Sequence, residues 1–355
     1  MNIQEIIQSP RVRWMEQQAG SESIVISSRV RLARNLAAIA FPNRFDGEQA
    51  RQSMEEICAA GAAMQGQYTV EAVAFDAISP LQRQILVEKQ LVSPEHAQNG
   101  SPVHGVMLNA DASLSIMVNE EDHLRIQALL PGLQLSGCWE QADAADDLLE
   151  QRLEYAYDGK WGYLTACPTN MGTGMRASVM MHLPALQMSG QSRGVFQRLS
   201  QLGLAVRGIY GEGSEASGNF FQISNQVTMG QSEKDLCEYL TGVVLQVAEQ
   251  ELLQRQQLRQ KSARELEDKV GRAFGLLRYA RLMTSQEALA LLSDLRLGVD
   301  MDVIKGLGPA DITELMVCIR PAHLQQYSGL EMQPHERDVR RAELIQEKLR
   351  GTEHA

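Results

Sequence analysis

The chain of 355 residues lacks the features that mark several large classes of protein. Its five cysteines are an odd number without CxxC spacing, which argues against a disulfide framework or a zinc ribbon. The seven histidines show no HExxH spacing, so we expect no transition metal held by protein ligands. No apolar run approaches the roughly 18 residues that span a bilayer, and the N-terminus has no secretory-signal pattern. These absences favour a cytoplasmic protein.

Positive charge is also scarce. Lys and Arg number 33 against 44 Asp and Glu, which gives a formal net charge of −11. Binding to nucleic acid needs a basic face, so the acidic balance argues against it and favours basic partners. Apolar residues make up 44% of the chain, as is typical of a globular protein that buries a sizeable core in one or two domains.

Short apolar segments between helical patterns predict an α+β fold, because no regular βαβ rhythm is present. Residues 24–30 and 114–119 each predict a strand. Residues 162–170 predict a third strand, followed by a helical pattern in MRASVMMHLPAL (175–186). Residues 204–230 contain two apolar segments joined by a loop rich in Gly, Ser and Glu, which predicts a hairpin.

From Ser232 onward the pattern is helical. Ser232 with Asp235 predicts an N-cap with an acid in the first turn, and Thr284 with Glu287 predicts a capping box. We therefore divide the chain into an α+β domain over residues 1–255 and a helical domain over residues 256–355.

Five arginines stand beside glycines or near apolar segments: Arg29, Arg31, Arg125, Arg176 and Arg207. Each alone is more often a solvated surface charge. Guanidinium groups are planar, bidentate and permanently charged, so they are preferred partners of phosphate oxygens. Together they could neutralise a nucleoside triphosphate without a P-loop; the chain has no GxxxxGK[ST], HRD or DFG signature.

Two carboxylates accompany these arginines, Glu121 beside Arg125 and Glu212 beside Arg207. Carboxylates repel a nucleotide, but they would hold a cationic acceptor such as a guanidinium, whose pKa lies above about 12. One of them would take a proton as the nitrogen attacks phosphorus. Each alone could also be a surface or capping carboxylate.

Cys167 precedes Pro168 and a Gly-rich turn, and it is expected to end the third strand. A thiolate stabilised there by positive charge could help polarise a bound guanidinium. The alternative is a small buried hydrophobe, which is our interpretation of the other cysteines: Cys58, Cys138, Cys237 and Cys318.

Several blocks resemble the ATP:guanido phosphotransferase family, which includes creatine and arginine kinases. They are SSRVRLARN (27–35), VEKQLVSP (87–94), NEEDHLR (119–125), LPGLQL (130–135), CPTNMGTGMRASV (167–179), RGIYGEGSEA (207–216), QISNQVTMG (222–230) and ERDVRRA (336–342). The resemblance spans nearly the whole chain and is strongest to the bacterial branch that phosphorylates arginine in proteins. It implies a phosphagen-kinase-like catalytic domain, with a mainly antiparallel sheet flanked by helices, and a helical C-terminal domain that supports dimerisation.

The resemblance also implies roles for individual residues. Glu121 matches the catalytic base, Glu212 the second guanidinium-binding carboxylate and Cys167 the active-site cysteine. The matches to nucleotide-binding positions are Ser27, Ser28, Arg29, Val30, Arg31, Gln90, Arg125, Arg176, Ala177, Ser178, Val179, Met180, Arg207, Gly208, Ile209, Tyr210, Gly211 and Glu212. Gln90 stands where related sequences usually carry histidine, so nucleotide affinity could differ. The implied cofactors are ATP and Mg²⁺, the ion being held mainly through the nucleotide phosphates.

The segment ERDVRRA has two interpretations. Arg337 with Arg341, and Glu336 with Arg340, are four residues apart, which is typical of an exposed, salt-bridged helix face. The resemblance instead implies a phosphoarginine pocket that tunes activity, formed by Arg337, Asp338, Arg341 and Ala342. It further implies a homodimer, a small zinc-binding activator of the McsA type and the ClpC unfoldase system as partners, in the turnover of stress proteins.

The expected function is ATP-dependent phosphorylation of arginine residues in proteins, giving N-phosphoarginine. Kinases of small guanidines carry an extra N-terminal helical domain that closes over the free substrate, and the first motif here begins near residue 24. One alternative is a kinase of free arginine or a related small guanidine. A second is a non-catalytic adaptor that recognises phosphoarginine through ERDVRRA.

Overall fold

The computed structural model describes residues 2–16, 21–99, 103–208, 217–350 and 353–354. The strands are β1 (Val25–Arg34), β2 (Val70–Ala74), β3 (Gly105–Asn109), β4 (Leu114–Val118), β5 (Leu124–Pro131), β6 (Tyr157–Asp158), β7 (Gly162–Tyr163), β8 (Met175–His182), β9 (Leu204–Gly208), β10 (Phe220–Asn225), β11 (Ile304–Lys305) and β12 (Glu353–His354). The helices are α1 (Ile3–Gln8), α2 (Gly47–Ala62), α3 (Pro80–Glu88), α4 (Pro94–Asn99), α5 (Leu135–Glu150), α6 (Pro184–Met188), α7 (Ser192–Gln201), α8 (Glu233–Lys261), α9 (Ala263–Tyr279), α10 (Ser285–Asp300), α11 (Pro309–Cys318), α12 (Pro321–Ser328) and α13 (Pro334–Lys348).

An eight-stranded sheet carries the arginine-rich segments. Its strand order is β2-β3-β4-β5-β1-β8-β10-β9. Strands β2 to β5 are antiparallel neighbours, with Met117 opposite Arg125 in the β4–β5 pair. Two short antiparallel pairs, β6–β7 and β11–β12, stand apart from this sheet. The predicted α+β class is confirmed.

The strands of this sheet differ in how they are buried. All five residues of β3 and of β4 are buried, and so are seven of the eight residues of β8. Strands covered on both faces have apolar residues at successive positions instead of alternating ones. This explains why the apolar runs in the sequence lack a period of two.

Several predicted elements are confirmed, with shifted ends. Strand β1 runs to Arg34, so Arg29 and Arg31 lie inside it and share one face, as the alternation of side chains predicts. Strand β4 matches residues 114–119, and β9 and β10 are the neighbouring strands predicted within residues 204–230. The hydroxyl groups of Ser232 and Thr284 cap their helices, accepting hydrogen bonds from the amides three residues later.

Two predictions between residues 162 and 186 are wrong. Only Gly162–Tyr163 is a strand; the chain then turns, and Cys167 precedes a single 3₁₀ turn at Pro168–Asn170 instead of ending a strand. The segment MRASVMMHLPAL is strand β8 followed by the short helix α6, not one helix. A strand buried on both faces cannot be told from a buried helix by periodicity alone.

The chain divides into two compact units. The first comprises Met1–Trp14, Ser28–Ser178 and Ser224–Thr241. The second comprises Met15–Ser27, Val179–Ile223 and Gly242–Ala355. The domain boundary at residue 255 stays a prediction. Among the described residues, no helix is both long enough and apolar enough to cross a membrane.

Candidate active site

Four of the five predicted arginines lie on three adjacent strands of the sheet. Arg125 is on β5, Arg29 and Arg31 are on β1, and Arg176 is on β8. All four side chains are partly buried. We call them the arginine cluster.

The positive charges of the four arginines repel one another. The pKa of Arg29 is lowered to about 10, first by burial and then by the positive charges of Arg176 and Arg125. The pKa of Arg31 falls well below its ordinary value, first through burial and then through the charges of the other three arginines, while the charge of Glu120 opposes the fall. The cluster is therefore a concentrated positive region, which a bound anion would stabilise.

Two arginines of the cluster contact neutral hydroxyl groups on β8 and β10. The Nε atom of Arg29 donates to Ser178 Oγ at 3.4 Å, and Arg176 donates to Ser224 Oγ at 3.3 Å. Within the described part of the chain, the Arg31 guanidinium has neither a hydrogen-bond partner nor an ion-pair partner. Planar guanidinium groups so arranged match an anion with several oxygens, such as a triphosphate.

Two glutamates occupy the turn between β4 and β5. Arg125 bridges them: Nη1 lies 2.7 Å from Glu120 Oε2, and Nη2 lies 2.9 Å from Glu121 Oε2. The Glu120 side chain is 7% exposed, whereas that of Glu121 is 45% exposed. Glu121 is thus an accessible carboxylate beside the arginine cluster. The sequence argument did not assign Glu120, although the doubled acid in NEED was its signal.

The backbone of this turn is tightly fixed. Asn119 has a φ of 59°, and its amide N–H donates to the carbonyl of His123 at 2.9 Å. Its side-chain amide donates to the carbonyl of Ala50 at 2.9 Å. The tip that carries Glu121 is therefore anchored to helix α2.

Buried Asp122 joins the glutamate turn to the loop that carries Cys167. Its Oδ1 atom accepts hydrogen bonds from Asn35 Nδ2 and from the amide of Ala166, both at 2.6 Å. Burial raises the pKa of Asp122, and these two donors oppose that rise. Because Ala166 immediately precedes Cys167, Asp122 sets the position of the cysteine relative to Glu121. Asp122 was not among the residues predicted from the sequence.

Cys167 itself is partly buried at the tip of a short loop. Its Sγ lies 3.0 Å from Thr169 Oγ1. The loop is closed at its base where the amide of Tyr163 donates to the carbonyl of Gly172 at 2.8 Å. Gly172 has a φ of +106°, and a Cβ on Gly162 would come within 2.4 Å of the Gly172 oxygen. Glycines are thus required at the base of the Cys167 loop.

Most other predicted nucleotide-binding residues near β1 and β8 are buried. The Ser28 hydroxyl donates to the carbonyl of Gly132 and accepts from the amide of Gln134, both at 2.8 Å. It therefore holds the turn between β5 and α5. The Ala177 amide donates to Asn225 Oδ1 at 2.8 Å. The remaining buried members are Ser27, Val30, Ser178, Val179 and Met180.

Gln90 follows helix α3 in the left-handed region, with a φ of 62°. Its amide donates to the carbonyl of Val87, and the next amide, of Leu91, donates to Leu86, both at 2.9 Å. This is a Schellman C-cap, in which glycine is the usual residue.

The last predicted nucleotide segment begins on β9, an edge strand, with Arg207 and Gly208. Ile209, Tyr210, Gly211 and Glu212 lie outside the described residues. The predicted pairing of Glu121 with Glu212 around a guanidinium therefore stays a prediction.

Helix α13 carries the predicted phosphoarginine residues. Arg341 is buried and donates to the carbonyls of Ile319 and Met283 at 2.9 and 2.8 Å, and to Asp338 Oδ1 at 2.6 Å. Half-buried Arg337 donates to the carbonyl of Met332 at 2.7 Å. Ala342 is also buried, whereas Arg340 pairs with Glu343 and Glu347. Arg341 therefore contributes to packing, while Arg337 lies nearer the surface.

Comparison with known proteins identifies the class of this fold and site. Residues 52–254 match the family "ATP:guanido phosphotransferase, C-terminal catalytic domain". Residues 263–355 match the "Protein-arginine kinase McsB C-terminal domain". A structure of lombricine kinase shares the fold, with a TM-score of 0.59 and 24% identity over 69% of this chain and 71% of that one. The chain belongs to the ATP:guanido phosphotransferase family.

Within this family, the chain is similar over nearly its whole length to protein-arginine kinases. A protein-arginine kinase of Syntrophomonas wolfei is 52% identical, over 99% of each chain. A protein-arginine kinase of Bacillus subtilis is 46% identical, over 98% of this chain and 96% of its own. The resemblance drawn from the sequence blocks is confirmed by these full-length similarities.

Proposed function

We propose that this protein transfers the terminal phosphoryl group of ATP to arginine side chains of proteins, giving N-phosphoarginine. The observation that carries the proposal is the arginine cluster, in which the Arg31 guanidinium makes no hydrogen bond or close ion pair with a described residue and feels an opposing charge from Glu120. The protein-arginine kinases to which the chain is similar over its full length supply the acceptor class.

In this proposal the cluster binds and neutralises the triphosphate, because phosphoryl transfer depends mainly on positioning and charge stabilisation. Mg²⁺ would enter bound to the phosphate oxygens. Glu121, accessible beside Arg125, would hold the acceptor guanidinium in line and take its proton. Cys167 and Glu212 are proposed to complete the acceptor site.

The test is incubation with ATP and a folded protein substrate, followed by mass spectrometry under conditions that preserve phosphoarginine. Glu121→Gln should abolish turnover, while the control Glu140→Gln, on an exposed face of α5, should not. Arg31→Gln should raise the KM for ATP about tenfold or more, as loss of a charged hydrogen-bonding partner implies, and exposed Arg51→Gln should not. Phosphorylation of free arginine alone would instead favour a small-guanidine kinase.

If the protein is a non-catalytic adaptor, Glu121→Gln and the unchanged protein should give the same result in this phosphorylation assay. We also propose a cytoplasmic homodimer that acts in stress-protein turnover, responds to phosphoarginine through α13, and works with a McsA-like activator and the ClpC system. Size measurement in solution and pull-down with these partners test those points.

A further inference from the structure

A cavity of about 500 Å³ opens in the first unit, and it shares with the site described above only the base of the Cys167 loop. Three aromatic side chains line it: Tyr157, Trp161 and Tyr163. Two carboxylates, Glu150 and Glu233, also line it. Tyr157 and Trp161 are 61% and 44% exposed, so the cavity is open to ligands from solvent.

The cavity lies at the base of the Cys167 loop. Tyr163, on the strand that enters the loop, and Gly172, at the point where the chain leaves it, both line the cavity. The same two residues form the backbone bridge that closes the loop. A ligand in this cavity would therefore lie against the support of the candidate active-site cysteine.

The charged residues that line the cavity are Glu150, Glu233 and Lys160, so their net formal charge is negative. The pKa of Tyr163 is raised by burial first, and Glu150 and Glu233 add to that rise while Arg34 opposes it. The pKa of Asp143 is raised mainly by burial, and the charge of Glu233 adds to that rise. These groups disfavour an anionic ligand and favour a cationic one.

Aromatic faces in this region already bind cations. The Arg34 guanidinium lies 3.4 Å from the centre of the Tyr163 ring, and the Lys160 ammonium lies 4.7 Å from the centre of the Trp161 ring. Lys160 also lines the cavity and is exposed. It is thus a resident cation at a position that an incoming cation could share or take.

We propose that this cavity binds a basic side chain, arginine or lysine, of the polypeptide substrate, at a position separate from the acceptor arginine. The carboxylates of Glu150 and Glu233 supply the opposite charge, and the rings supply cation–π contacts. The volume suits one long side chain with its backbone. The substrate role rests on the proposed function, and the binding of a basic peptide does not.

The binding test uses a fluorescein-labelled peptide that contains lysines and no arginine, so that it cannot be phosphorylated. Its affinity is measured by anisotropy at low salt, against an arginine-containing peptide and a glutamine-substituted one. We expect both basic peptides to bind and the glutamine peptide to fail. Glu150→Gln combined with Glu233→Gln should weaken binding about tenfold, as loss of two ion pairs implies.

Lys160→Gln should have the opposite effect on peptide affinity. Removal of the resident cation should tighten binding about threefold, because it removes a competing charge at the Trp161 face. The matched control is Glu140→Gln, which removes an exposed carboxylate that does not line the cavity and should change nothing. If the substitutions only disturbed folding, peptide binding would weaken in every variant, and Lys160→Gln would not bind more tightly.

Kinetics separate this inference from the proposed function. With a protein substrate, the double glutamate variant should show a several-fold higher KM for that substrate, with kcat and the KM for ATP unchanged. Basic peptides that bind without any phosphorylation of proteins would refute the kinase and leave the cavity supported. Phosphorylation with unaltered KM and unaltered peptide affinity in the charge variants would overturn the cavity proposal alone.

Discussion

Replacement of Asp122 should show how strongly the glutamate turn depends on its link to the Cys167 loop. In Asp122→Ala, the amide of Ala166 and the side chain of Asn35 lose an acceptor to which both donate at 2.6 Å. Each hydrogen bond to a charged acceptor contributes about 1.5–3 kcal/mol, so we expect the free energy of unfolding to fall by about 3–5 kcal/mol.

Asp122→Asn should behave differently. Its Oδ1 can accept both hydrogen bonds, and Asp122 Oδ2 has no hydrogen-bond partner among the described residues. Because burial raises the pKa of Asp122, ionisation costs the folded state more than the unfolded one. The asparagine variant escapes that cost, so its free energy of unfolding should stay within about 1 kcal/mol of the unchanged protein at pH 7.

Equilibrium unfolding in urea, from pH 4 to pH 7, measures both effects. The unchanged protein should lose stability relative to Asp122→Asn as the pH rises above the ordinary aspartate pKa of 3.8, since its folded-state pKa is raised. The alanine variant should also have a reduced kcat, which the asparagine variant restores. Equal losses of stability and of kcat in the two variants would refute the role of Oδ1.

Further predictions concern groups outside this link. Burial lowers the pKa of His123 to about 4, so stability should fall by up to about 1.4 kcal/mol per pH unit from pH 6.5 to pH 4, where the unfolded chain binds the extra proton; His123→Asn should flatten this slope in urea unfolding. Arg34→Met should cost about 3–5 kcal/mol in thermal unfolding, because it leaves buried Asp146 without its partner at 2.6 Å. Arg341→Ala should cost about 3 kcal/mol through three lost hydrogen bonds. Arg337→Ala combined with Asp338→Ala should spare basal kinase activity and remove any response to added phosphoarginine, and an unchanged response would return α13 to a structural role.

The sequence predicted those parts of the site that depend on local patterns. The alternation of side chains placed Arg29 and Arg31 on one face, and the spacing of Glu121 and Arg125 across a turn matches their contact at 2.9 Å. These relations extend over a few residues, where backbone geometry alone decides which side chains meet.

The parts of the site and fold that the sequence did not predict depend on contacts between segments far apart in the chain. Asp122 meets the amide of Ala166 across 44 positions of the chain, and no local pattern encodes that distance. The segment 175–186 was assigned to a helix because a strand buried on both faces shows no period of two. The nucleotide-binding role of Ser28 stays a prediction; the contacts of its hydroxyl with Gly132 and Gln134 span more than 100 positions and no local pattern indicates them.

The two glycines at the base of the Cys167 loop connect the cavity to the cysteine, so the reactivity of Cys167 can report on binding in the cavity. A Cβ on Gly162 would come within 2.4 Å of the Gly172 oxygen, so the two sides of the loop base are in close contact and a shift of the cavity wall there would also shift the loop that carries the thiol. The rate at which iodoacetamide alkylates Cys167 should therefore change when a basic peptide fills the cavity, even before any phosphate is transferred.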